Sequence, residues 1–298
     1  PHGLEGALHA SFVYLNGLDT DTLERLAHTP GAAMGSSRRK LADAEYTAVL
    51  DTLQRRNITH FAYIGGNGSM WVAHQLATQA AARGYELGVV GIPKTVDNDL
   101  AGTDHAPGYG SAARFVALAT RDAGLDLEAM CTFDDVLILE SMGRSTGWLA
   151  AASALLKQRE DDAPHLVYVP EITFSDEQFL SDVAAVHQRL NRVCVVVGEG
   201  LLYADGSSVA GSDHAADALG RPIHGVTAGV GFALARLVRE RLRLQTRLLR
   251  PGIIGRSFST CVSHIDYAEA ELVGECAARA LADGDSDVMV ALERVTAG

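Results

Sequence analysis

The stretch Gly88-Val89-Val90-Gly91-Ile92-Pro93-Lys94-Thr95-Val96-Asp97-Asn98-Asp99 decides how the chain is read. Its first five residues form a short apolar run, and the next seven carry a proline, a lysine and two carboxylates. A continuous β-branched run of this length is what a strand covered on both faces of a parallel sheet requires. Working outward, comparable runs lie at residues 61–64, 136–139, 166–169, 193–197 and 288–292. Between them, segments of helical period cover residues 43–56, 70–83, 110–123, 147–157, 175–190, 228–242 and 266–282. Ser175 followed three residues later by Gln178 predicts a capping box at the start of one helix. Strand–helix alternation predicts an α/β fold with mostly parallel sheets flanked by helices. No internal repeat and no low-complexity linker divides the chain. In open α/β sheets ligands collect beyond the carboxyl ends of the strands, so the residues just after each run are the ones to weigh.

Composition narrows the classes of function. The 298 residues are 47% hydrophobic and 21% charged, as in a globular protein of two domains or one large one. No run of about 18 apolar residues is present, and no basic-apolar leader opens the sequence. Cys131, Cys194, Cys261 and Cys276 follow no metal-ligand spacing, and those in or beside apolar runs read as buried reduced thiols. These features predict a cytoplasmic setting. A formal net charge of −12 argues against nucleic acid, whose binding needs Lys and Arg, but leaves room for a small anion held by locally gathered cations. Pro1 and the end at Gly298, soon after an apolar run, read as the ends of a fragment.

Five strand ends carry chemistry. Gly65-Gly66-Asn67-Gly68-Ser69 joins a strand to a helix, as a phosphate-cradling loop does and as an ordinary tight turn also does. In Lys94 to Asp99, two carboxylates stand two positions apart with a lysine three residues before the first. Burying them together is costly unless they serve chemistry: Asp97 as acceptor of a hydroxyl proton, Lys94 as partner of a phosphoryl group. The alternative is a solvated turn with a surface ion pair. Glu140-Ser141-Met142-Gly143-Arg144 offers an arginine suited to bidentate phosphate recognition, or to pairing with a nearby acid. Glu199, between Gly198 and Gly200, is placed to accept hydrogen bonds from sugar hydroxyls. Arg247, Arg250 and Arg256 form the densest basic cluster of an acidic protein. Together these ends point to phosphoryl transfer onto a sugar phosphate.

In this order and spacing the motifs resemble the phosphofructokinase family, most specifically at Pro93-Lys94-Thr95-Val96-Asp97-Asn98-Asp99 and at Met142-Gly143-Arg144. The resemblance implies a 6-phosphofructokinase, a glycolytic kinase that phosphorylates the 1-hydroxyl of fructose 6-phosphate to give fructose 1,6-bisphosphate, with Mg²⁺ as cofactor. It implies two α/β domains, with residues 1–108 and 257–298 on the donor side and 109–256 binding fructose 6-phosphate. A homo-oligomer, dimer or tetramer, is implied as well. By the same resemblance Asp97 is the general base, assisted by Asp99, while Lys94 and Arg144 stabilise charge. Thr95, Val96, Met142, Gly143, Glu199, Arg247, Arg256 and the position of Ile253 match sugar-phosphate contacts, one arginine being usually supplied across a subunit interface. Gly66, Asn67, Gly68 and Ser69 match the donor loop, Arg38 an arginine reaching the transferred group, and Asn67 with Asp99 the metal site.

Lys94 resembles the pyrophosphate-dependent branch, whereas Gly68 resembles ATP users; pyrophosphate is favoured because the lysine acts on the transition state directly. The sequence departs from the family's pattern in several places. Asn67 replaces a common aspartate, Ile253 a common His or Tyr, and Asp135 an arginine of some short bacterial members. The family's first strand and Gly-Gly-Asp-x-Pro-Gly loop have no counterpart before Gly6. Two rival readings are a catalytically silent, phosphate-binding regulatory paralogue and an NAD or lipid kinase sharing the Gly-Gly-x-Gly loop.

Overall fold

A computed structural model describes residues 1–37, 41–211, 215–216, 222–223 and 229–295. The chain opens with two short helices, α1 (Leu4–Leu8) and α2 (Thr20–Ala27), followed by α3 (Asp43–Arg55). Next come β1 (His60–Gly65), α4 (Asn67–Ala82), β2 (Gly88–Pro93) and α5 (Tyr109–Ala129). The middle of the chain forms β3 (Val136–Ser141), α6 (Trp148–Ala152), β4 (Leu166–Tyr168), α7 (Asp176–Leu190) and β5 (Val193–Gly198). A two-residue antiparallel pair, β6 (Ala215–Ala216) and β7 (Pro222–Ile223), precedes α8 (Val230–Arg241) and β8 (Thr246–Leu249). The last elements are α9 (His264–Asp283) and β9 (Val288–Met289).

The strands form two parallel sheets, in the orders β1-β2-β9 and β4-β5-β3-β8. This is the α/β architecture that the alternation of runs predicts. In the first sheet Val89 packs with Leu50, Leu53 and Leu76 of α3 and α4, while Val90 and Ile92 pack with Val273, Ala277 and Leu281 of α9. In the second, Val136 and Ile138 meet Phe179 and Val183 of α7 and Leu234 and Val238 of α8. Their alternate neighbours Leu137 and Leu139 turn the other way, toward Leu127 of α5 and Ala150 of α6. Every residue of β3 and β5 is buried, which is why Val136–Leu139 and Val193–Val197 are continuous apolar runs rather than alternating ones, with only Glu140 and Ser141 polar at the end of β3. A side chain such as Phe179, with no exposed surface, contributes about 1.5–3 kcal/mol by burial.

Several boundaries differ from the sequence expectation for identifiable reasons. The helix expected to end at residue 123 continues through Gly124, where an added Cβ would lie 2.3 Å from the Cβ of Ala163; the glycine is there for close packing, not as a stop. The segment expected as a helix over 147–157 is α6 followed by a 3₁₀ turn, Ser153–Leu156. The last strand ends at Met289, after which Val290 donates to the Gly91 carbonyl and Leu292 donates to Thr103 Oγ1 (2.9 Å). The capping box is half made: Ser175 Oγ accepts from the Gln178 N–H (3.3 Å), but the Gln178 amide donates forward to Asp182 (2.7 Å). β8 carries no strand signal in the sequence, because Thr246-Arg247-Leu248-Leu249 is too short and too polar to stand out.

Candidate active site

Parallel register sets the site. Gly65 is paired with Pro93 at the carboxyl ends of β1 and β2, and Ser141 with Gly198 at the carboxyl ends of β3 and β5. Lys94 prolongs the first pairing by donating its N–H to the Gly65 carbonyl. The two sheets' carboxyl ends meet where Arg144 Nε lies 3.3 Å from Asp97 Oδ2.

On the first sheet, α4 begins at Asn67 with Gly66 as N-cap, three residues earlier than its apolar pattern predicts. Asn67, Gly68 and Ser69 therefore form a helical first turn, in which the Ser69 N–H already donates to the Gly66 carbonyl and the positive dipole end favours an anion. A side chain at Gly65 would strike Ser69 Oγ at 2.0 Å, so the turn admits no larger residue there. Asn67 Nδ2 donates to Asp99 Oδ2 (2.8 Å) and to the Asp99 carbonyl (3.1 Å), tying this turn to the loop after β2.

That loop is stapled by its own polar side chains. Asp97 N–H donates to Thr95 Oγ1 (3.2 Å), and Thr146 Oγ1 donates to the Asp97 carbonyl (2.7 Å). Asn98, at φ 51°, accepts from the Ala106 N–H through Oδ1 (2.9 Å). Left-handed backbone of this kind is easiest for glycine and asparagine, and here asparagine adds the staple. Thr95 is buried, and Val96 and Met142 pack against Ala112, Ala113, Leu149 and Ala152. Burial pushes the Asp97 carboxyl up to about 6, with the Asp99 and Glu199 charges adding to it and Arg144 and Lys94 opposing it. A carboxylate so placed accepts a proton near neutral pH more readily than an exposed one does.

On the second sheet, glycines shape the loop. Gly143 has φ 142°, and a Cβ there would meet the Thr146 carbonyl at 2.4 Å. A Cβ on Gly200 would fall 1.8 Å from the Arg144 carbonyl. Arg144 itself sits at φ 52°, its N–H donating to Glu199 Oε1 (3.1 Å). Asp97, Asp99, Asn67, Lys94, Arg144 and Glu199 are thus brought to one place.

The remaining residues fall elsewhere. The 3₁₀ turn Gly252–Arg256 borders a niche with Phe115, Glu140 and Met142, near which Ile253 is 69% exposed. Arg247 is not brought to the cluster. It lies opposite Leu137, in the amino-terminal half of β3, and donates from Nε to Asp134 (2.8 Å). Asp135, next to it, pairs with His187 (3.0 Å) and accepts from the Gln245 N–H (2.7 Å), a structural tie between α7 and β8. Arg38 lies outside the described residues.

Two residues with no assigned role do reach the carboxyl end. Arg250 Nε lies 3.0 Å from the buried Glu140 Oε1, and its guanidinium stands 5.6 Å from the Phe232 ring centre. Glu140 also accepts from the Gly231 N–H (2.6 Å); burial raises its carboxyl, against the lowering effect of Gly231 and Arg250. An acid ending an otherwise apolar run was the available signal.

The chain matches the family model described as "PFK: Phosphofructokinase" over residues 1–281. It is 38% identical to the pyrophosphate–fructose 6-phosphate 1-phosphotransferase of Xanthomonas campestris pv. campestris, covering 99% of this chain and 71% of that one. It is also 38% identical to the sulfofructose kinase of Alkalicoccus urumqiensis, over 98% of this chain and 74% of that one. Among solved structures, the pyrophosphate-dependent phosphofructokinase of Nitrosospira multiformis superimposes with a TM-score of 0.87 at 30% identity, over 99% of this chain and 70% of that one. Strand ends that gather Lys94, Asp97, Arg144 and Glu199, and a match that runs along most of the sequence, lead to one assignment: the chain belongs to the phosphofructokinase family.

Proposed function

We propose that the protein transfers a phosphoryl group from pyrophosphate to the 1-hydroxyl of fructose 6-phosphate, giving fructose 1,6-bisphosphate and phosphate. The carrying observation is Asp97, a carboxylate raised to about 6 by burial and held 3.3 Å from Arg144 beside Lys94. Asp97 takes the hydroxyl proton as the sugar oxygen attacks phosphorus, and the bond to the bridging oxygen of the donor breaks. Lys94 and Arg144 stabilise charge on the leaving phosphate and the transferred group. Thr95, Met142, Gly143, Glu199 and Arg256 orient the sugar phosphate, and Arg247, facing away in its own chain, serves a neighbouring subunit of a homo-oligomer. The first turn of α4, Gly66 to Ser69, receives the donor.

The donor set suits a divalent cation. Asp97, Asp99 and Glu199 crowd like charges together, and Asp99 offers the hard carboxylate oxygen that Mg²⁺ takes, beside an Asn67 amide whose nitrogen faces it here and whose oxygen is the second ligand of the expected metal site. These residues would hold the cation, which would supply neutralisation of charge on the donor oxygens. The donor-side domain comprises 1–108 and 257–298 and the sugar-phosphate domain 109–256, a division supported by the origin of each sheet's strands. A cytoplasmic setting fits a glycolytic role; among the described residues no helix is long and apolar enough to cross a membrane.

A second acceptor is favoured by one observation: the relative named sulfofructose kinase is as similar as the pyrophosphate enzymes, and Ile253 is a departure at the sugar-phosphate side. The test offers the protein fructose 6-phosphate or sulfofructose, each with Mg²⁺ and either pyrophosphate or ATP. Product from fructose 6-phosphate with pyrophosphate is expected. Turnover with ATP alone overturns the donor, turnover of sulfofructose alone overturns the acceptor, and none with any pair supports a silent paralogue.

A further inference from the structure

Behind the catalytic loop lies a cluster that the proposed chemistry does not use. The loop after β2 returns to pair with its own beginning, Thr95 against Gly108, immediately before α5 starts at Tyr109. At this return His105 is held between two carboxylates of α9. Its Nδ1 faces Glu269, and its Nε2 lies 3.4 Å from Asp266 Oδ1. The Tyr109 ring meets the imidazole edge-on at 5.9 Å.

Asp266 is buried, and its carboxylate accepts from the first amides of α5. Gly110 N–H donates to Oδ1 (3.3 Å), while the Ser111 N–H and Ser111 Oγ (2.6 Å) donate to Oδ2. Ser111 Oγ in turn accepts from the Ser263 N–H (3.0 Å), which caps α9. The ligand-type atoms of His105, Asp266 and Glu269 lie within 4.8 Å of one another. Each ring nitrogen nevertheless faces its own carboxylate, and Asp266 is supplied with donors from α5, so the arrangement is a closed clamp.

A buried carboxylate is retained only where donors satisfy it, and those of Asp266 come from one place, the hinge where the loop becomes α5. α9 is itself anchored on β2 through Val273, Ala277 and Leu281. The clamp therefore ties the far end of the loop to the strand from which the loop departs. Without it the return of the loop rests on Asn98, Thr103 and the Thr95–Gly108 pairing, and the added conformational entropy of that end disperses the position of Asp97. Phosphoryl transfer is sensitive to such dispersion, because a displacement of about 1 Å lowers rate by about a hundredfold.

We propose that His105 and Asp266 are positioning residues for the reaction, holding the Thr95–Gly108 closure and through it Asp97. This rests on the function proposed above. The test compares wild type with His105→Ala and Glu269→Gln, reading steady-state kinetics and amide hydrogen exchange on the intact chain. In His105→Ala, kcat is expected to fall about tenfold or more, while KM for fructose 6-phosphate and for pyrophosphate stays within about twofold. Exchange should quicken at Ala106, Gly108 and Ser111 while Val89 and Val90 stay protected. Glu269→Gln keeps an acceptor for His105 and should recover most of kcat. An unchanged kcat, a loss confined to KM, or unaltered exchange at the hinge would each overturn the proposal. If His105→Ala does not fold, Ser111→Ala, which removes one bond to Asp266, carries the same comparison. A wild type without turnover would defeat the proposed function, while the exchange data would still decide whether the clamp holds the loop.

Discussion

The two loops that meet at Asp97 and Arg144 are held in opposite ways. The loop after β2 is long and is pinned by side-chain hydrogen bonds: Asn98 to Ala106, Thr103 to Leu292, Thr146 to the Asp97 carbonyl. The loop after β3 is short, and although Glu199 accepts from its Arg144 N–H and Thr146 Oγ1 ties it to Asp97, its path is set by glycine, with Gly143 against Thr146 and Gly200 against Arg144. A hydrogen-bonded loop loses one bond at a time, so substitutions there should act by degrees. A loop confined by backbone contacts has no intermediate state, so adding one carbon should act at once. The acid–base group sits on the graded loop and the anion-binding arginine on the steric one.

The comparison breaks first at its centre. Asp97→Asn keeps the shape and removes the base, and kcat should fall about 10³-fold with KM for fructose 6-phosphate nearly unchanged, as steady-state assays will read. Gly200→Ala comes next: the new Cβ falls 1.8 Å from the Arg144 carbonyl, and the loop must move. A loss of about a hundredfold in kcat/KM is expected, with thermal unfolding showing destabilisation of about 1–3 kcal/mol. Asn98→Ala removes a staple from the other loop and should lower kcat only about tenfold. If Asn98→Ala proved as damaging as Gly200→Ala, the contrast between graded and steric loops would be lost.

Much of this was legible from local pattern. Strands such as 193–197 announce themselves because a strand buried on both faces must be apolar throughout. The loop residues Lys94 and Asp97 were legible because charged and turn residues at a strand end have few structural uses. Arg247 and Arg250 show where local pattern stops. They are three positions apart in one basic cluster, and only the register of β8, Arg247 beside Leu137, sends the first toward the amino end and leaves the second beyond the carboxyl end. No spacing rule conveys that register, because Thr246-Arg247-Leu248-Leu249 alternates too briefly to mark its faces. His105 and Asp266 escaped for a related reason. They are distant in sequence, and each alone looks like an ordinary polar residue near a helix start. Asn67, expected in the donor loop and at the metal site, is the first residue of α4 and is fastened to Asp99, a role visible only once the two strand ends stand side by side.

The pH dependence of kcat/KM with fructose 6-phosphate and pyrophosphate tests most directly whether Asp97 is the base. Because burial raises its carboxyl to about 6, the group is protonated and unable to accept the hydroxyl proton below that value. Wild type should therefore show a limb that rises with pH, about tenfold per unit, and levels above about 6. Asp97→Asn should retain a small residual rate without that limb. A limb that persists in Asp97→Asn at the same pH would contradict the assignment and place the base on another residue.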